Sequence, residues 1–70
     1  MIYLLYQIHL YSDNPFLRGI YTSIEEAKNS KEIQQALEWE TYEIEEYSLP
    51  SEIDYKNLKI VGQYSKGKWT

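Results

Sequence analysis

The chain has no cysteine and a single histidine, His9. Disulfides and thiolate metal sites are therefore excluded, and one imidazole cannot hold zinc by itself. A cysteine-free composition also suits a reducing compartment. No apolar run approaches the ~20 residues of a membrane span. The opening Met1-Ile2-Tyr3 lacks the basic region and small-residue cleavage site of a secretory signal, so a cytoplasmic location is expected. Positive charge is scarce too: seven Lys and Arg face eleven Asp and Glu, a formal net charge of −4. General nucleic-acid binding needs the opposite balance to displace counterions, so no direct nucleic-acid partner is expected, nor a membrane.

With 70 residues the chain makes one domain, 1–70, near the lower size limit for folding without staples. A core this small contributes only about 3–5 kcal/mol, so association with a second chain would help. Charge is also unevenly placed. From Glu38 to Asp54 there are seven acids and no base, and from Tyr55 to Thr70 four lysines and no acid. A solvated charge run balanced by the neighbouring tail accounts for most of that pattern.

What the chain does have is aromatic area: eight tyrosines, two tryptophans and one phenylalanine in 70 residues. Residues 1–11 alternate as a long strand. Ile2, Leu4, Tyr6, Ile8 and Leu10 take one side, and Tyr3, Leu5, Gln7, His9 and Tyr11 the other. Ser12-Asp13-Asn14-Pro15 reads as a turn, and Phe16–Thr22 as a returning strand in which Gly19 marks a bulge or a close approach. Ser23 and Glu26 make a capping box. The stripe through Ile24 and Ala27 does not line up with that through Ile33, Ala36, Leu37 and Glu40. A break near Asn29-Ser30 reconciles them, giving helical pieces at 23–29 and 31–38.

Thr41–Leu49 reads as a third strand whose phase slips at Glu45-Glu46, where a bulge would bury both Tyr42/Ile44 and Tyr47/Leu49. After a loop, Leu58–Tyr64 is a fourth candidate strand, and Ser65–Lys68 a tight turn before Trp69. The fold class expected is α+β: a small antiparallel sheet, β-β-α-α-β-(β) in order 2-1-3, with a broken helix on one face.

Chemistry is harder to find. His9 lies mid-strand with no cysteine or nearby acid, so it is no nucleophile's base. Glu45 and Glu46 are strand neighbours pointing to opposite faces, a poor acid–base pair. Gly62–Lys68 matches the start of a phosphate loop, but Trp69 replaces the magnesium-binding hydroxyl and no helix can follow. A non-enzymatic protein without cofactor or metal is the expectation.

The side of the first strand carrying Tyr3, Leu5, Gln7, His9 and Tyr11 needs a cover. The tail (Leu58, Ile60, Val61, Trp69), a second copy, or another protein could each supply it. Association ranks ahead of the tail, because 70 residues hold little material for a second layer.

Leu17–Ala27, after a strand beginning Met1–Tyr6 and before Tyr42–Leu49, resembles small phage and Gram-positive bacterial domains of unknown function with the pattern "vYlLyh…lkGvYsSkeeA…yeIeeY.L". The resemblance covers about residues 1–49 and carries no catalytic residue. It implies an accessory product of a phage or mobile element, acting in a bacterial host by binding a host or defence protein. The expected interface is Tyr3, Leu5, Gln7, His9 and Tyr11, with Glu43, Glu45 and Glu46 as an acidic strip for steering or nucleic-acid mimicry. The alternative is a homo-oligomer holding a nucleotide-type small ligand between aromatic rings and tail lysines.

Overall fold

A computed structural model describes residues 1–9, 14–48, 51 and 59–70. Residues 10–13, 49, 50 and 52–58, among them Tyr11 and the Leu58 start expected for the fourth strand, fall outside the described residues. Among the described residues seven elements follow one another: β1 (Ile2–Ile8), β2 (Phe16–Tyr21), α1 (Ile24–Lys28), α2 (Lys31–Gln34), β3 (Thr41–Tyr47), β4 (Ile60–Ser65) and β5 (Lys68–Trp69). The strands form one five-stranded sheet in the order β2-β1-β3-β4-β5, every neighbouring pair antiparallel. The architecture is α+β. The order begins 2-1-3 as expected and then runs on through two further strands, where the sequence suggested at most one. Among the described residues no helix is long and apolar enough to cross a membrane.

The helical segment breaks where expected, and its second piece is shorter than the sequence suggested. Ser23 caps α1, its Oγ accepting from the Glu26 N–H at 3.1 Å. The Glu26 carboxylate accepts instead from Thr22 Oγ1 at 3.1 Å, so the reciprocal half of the box goes to a side chain. Asn29 ends α1, and Ser30 occupies the cap position of α2 without making a side-chain cap bond.

β1 is an interior strand between β2 and β3, and both of its sides are buried. On one side Leu5 packs with Ala27, Ile33, Tyr42 and Ile44, bordered by Tyr3, Tyr21, Ile24, Ala36, Tyr64 and Trp69. On the other, Leu4 and Tyr6 pack with Tyr47, bordered by Ile2 and Ile8. The helices thus lie on the Tyr3–Leu5–Gln7 side, the one expected to be open to a partner. Tyr64 and Trp69 of the tail join that core, so the chain closes this side from its own resources.

The same arrangement corrects the reading of β3. Its pairing with β1 is regular from Ile2↔Tyr47 to Ile8↔Thr41, with no bulge at Glu45-Glu46. Tyr42 and Ile44 face the helices while Tyr47 faces away, and all three are buried because a core lies on each side. The irregularities sit in the flanking strands. Val61 is the extra residue of β4 between Ile44↔Gly62 and Glu45↔Ile60, and Arg18 the extra residue of β2 between Leu5↔Gly19 and Tyr6↔Leu17. The second lies beside Gly19, whose own absence of a side chain matters: a Cβ there would meet the Tyr21 ring at 2.6 Å.

The phosphate-loop lookalike is a β-hairpin. Gly62 is buried within β4, and Lys66 (φ 54°) and Gly67 (φ 77°) are the two turn residues joining Ser65 to Lys68. Two successive positive φ values define the type I′ turn that matches the twist of the strands.

Candidate functional site

The eight residues proposed from sequence do not gather into one surface. Tyr3 borders the helix-side core, and the Glu46 carboxylate facing it across the sheet, with partial desolvation, raises its pKa. Leu5 is 0% exposed and Gln7 is buried, so neither can touch a partner. His9 is exposed and meets the Phe16 ring edge-on at 4.8 Å between centroids. Tyr11 lies outside the described residues. The acidic strip is split by the pleat: Glu46 faces the helices with Tyr3, while Glu43 and Glu45 share the opposite face. Glu45 is moreover 3% exposed and accepts from the Tyr47 hydroxyl at 2.6 Å, so it steers nothing in solvent. Burial, the Glu45 hydrogen bond and the Glu45 charge push the Tyr47 pKa up to about 12. Burial first, then the Glu45 charge, raises Glu43.

Gln7 has a definite role inside. Its Nε2 donates to Glu40 Oε2 at 2.6 Å, and its Oε1 accepts from Arg18 Nε at 2.8 Å. Glu40 also accepts from the Tyr42 hydroxyl at 3.1 Å and, through Oε1, from the Leu37 N–H at 2.6 Å. Burial and the Glu40 bond raise the Tyr42 pKa to about 12. One carboxylate therefore ties the turn after α2 to β1 and β3, and Gln7 extends the tie to β2. Hydrogen bonds to a charged acceptor are the stronger kind, each contributing about 1.5–3 kcal/mol.

Among the described residues, that tie carries the most exposed large hydrophobic side chain on its back. Trp39, next to Glu40 in the chain, is 78% exposed, and Leu37 is half exposed. Phe16 pairs with Gln7 across the sheet, which places it at the same end, with His9 against its edge and Arg18 5.9 Å above its ring. Phe16 and Trp39, whose aromatic area would suit a core, are both outside it. The available signal was spacing: Trp39 belongs to neither helical stripe. Glu40, counted there as a stripe residue, is the anchor that periodicity could not identify.

Other chemistry is thin. Among the described residues no three His, Cys, Asp or Glu side chains come together as metal ligands. Trp69, a candidate ring for a small ligand, is occupied by Tyr64 at 5.2 Å and by the Lys28 ammonium at 5.6 Å. No family model, curated protein or solved structure matches the chain.

Proposed function

We propose that this chain is a small non-enzymatic binding protein that acts by occupying a surface of a partner protein, with Trp39 as the anchor. The resemblance of residues 1–49 to phage and Gram-positive bacterial domains directs the search to host or defence proteins in the bacterial cytoplasm. The observation that carries the reading is the exposure of Trp39, 78%, on a turn immobilised by Glu40. An indole supplies large contact area for few rotatable bonds, and tryptophan is among the residues that dominate interface energetics. A fixed turn lowers the ordering cost on binding. Leu37, Phe16 and His9 at the same end widen the patch. The net charge of −4 favours a basic partner by long-range attraction rather than through a single acidic strip.

The test is a pull-down from host lysate with the tagged full chain, compared with Trp39→Ser and with Ile60→Ser, which changes a half-exposed residue on β4. A protein retained by the wild type and Ile60→Ser but lost with Trp39→Ser is the expected result, all three giving the same circular dichroism. Retention unaffected by Trp39→Ser, or no retained protein at all, overturns the proposal.

A further inference from the structure

The two edges of the sheet differ. β5 is two residues long, too short to template another strand, whereas β2 presents six residues and, among the described residues, pairs only with β1. Its exposed side chains are mainly apolar: Phe16 48%, Leu17 50% and Ile20 63%. Arg18 is the only charge on the strand, and its Nε is already engaged by Gln7. Open, uncharged edges are sites of strand addition unless something blunts them.

The bulge at Arg18 decides what can be added. In a regular strand, side chains separated by an odd number of positions point to opposite faces. Here the extra residue resets the phase. Phe16 shares the helix side with Tyr21, through Gln7 and Tyr3, and Leu17 shares the far side with Ile20, through Tyr6 and Leu4. We propose that β2 is a homodimer edge: two copies pair antiparallel about a two-fold axis between Arg18 and Gly19. Phe16 of one copy then stands opposite Tyr21 of the other, Leu17 opposite Ile20, and Arg18 opposite Gly19.

Every facing pair in this register lies on one face, apolar or aromatic residues meet on both, and no arginine faces its counterpart. A regular strand from another protein has no residue to set against Arg18, as β1 itself shows by leaving it unmatched. A second copy carries the same extra residue, so all six positions match one to one. The two-fold closes the assembly, leaving, among the described residues, the short β5 edges free. It joins two five-stranded sheets and adds buried surface that a staple-free chain of 70 residues lacks.

Sedimentation equilibrium on the full chain tests the association, and Ile20→Lys tests the edge. A dimer that becomes monomeric with Ile20→Lys, at unchanged circular dichroism, is expected. The register has its own test, which holds even if Ile20→Lys fails to fold. The native chain has no cysteine, so Leu17→Cys and Ile20→Cys variants can be oxidised separately and mixed. Facing strand residues have Cα atoms about 4.5–5.5 Å apart, within disulfide range. The mixture is expected to cross-link several-fold faster than either variant alone. A monomer at all concentrations, a dimer untouched by Ile20→Lys, or equal cross-linking in all three samples overturns the proposal. None of these readouts involves Trp39, so failure here leaves the partner-binding reading to its own test.

Discussion

Glu43 and Glu45 stand two residues apart on the far side of β3, in different surroundings. Glu45 takes the Tyr47 hydroxyl. Glu43 is desolvated beside a second carboxylate, so its proton is held more tightly in the folded than in the unfolded chain. Its folded pKa is raised, so the contribution of Glu43 to stability is fully present below the ordinary glutamate value of 4.5 and is lost as pH rises through the folded value. Glu43→Gln removes that loss. Urea midpoints should be higher for the variant than for wild type at neutral pH, and should converge below the ordinary glutamate pKa. A constant difference at all pH values would show that the charge is not the cause. Strand alternation already put Glu45 and Glu46 on opposite faces, but the burial of Glu45 and the desolvation of Glu43 were not legible from spacing. The sequence placed Glu43, Glu45 and Glu46 in one strip because charge runs are counted along the chain, whereas the pleat distributes them between faces.

At the scale of elements, α1 and α2 look alike in sequence, each preceded by serine, and differ in structure. The Ser23 Oγ accepts from the Glu26 N–H, while the Ser30 Oγ is buried with no hydrogen-bond partner among the described residues. An N-cap hydroxyl contributes about 1 kcal/mol, and an unsatisfied buried hydroxyl costs about 1–3 kcal/mol. Ser23→Ala should therefore destabilise by about 1 kcal/mol, and Ser30→Ala should be neutral or stabilising, both measured by chemical denaturation. Equal losses would mean that Ser30 caps after all. The break between the pieces was readable from two misaligned apolar stripes. The missing cap bond was not, because a serine in the right position specifies a candidate donor and acceptor, not a rotamer.

For the whole molecule the central fact is a sheet buried on both sides of β1. Leu4 and Leu5 are adjacent, point oppositely, and are 2% and 0% exposed. Large-to-small changes at buried leucines cost about 2–5 kcal/mol, comparable to the about 3–5 kcal/mol that a core of this size supplies. Leu4→Ala and Leu5→Ala should each lower the thermal midpoint steeply, and by similar amounts, although they empty cores on opposite sides. A tolerated Leu4→Ala would mean that the far side is only a surface cluster.

The first four strands, the two helical pieces, the turn at Ser65–Lys68, the special role of Gly19 and the α+β class follow from the sequence alone, because alternation, caps and breakers act over a few neighbouring residues. The side of β1 that receives the helices does not. Ile2-Leu4-Tyr6-Ile8 and Tyr3-Leu5-Gln7 are both apolar enough to be buried, so the pattern is nearly symmetric and local rules cannot choose between them. Tertiary packing made the choice: it turned Leu5 and Gln7 inward, gave β3 two buried faces in place of a bulge, and left Trp39 and the β2 edge facing solvent. Those exposed features result from long-range closure, and they are where the proposed contacts lie.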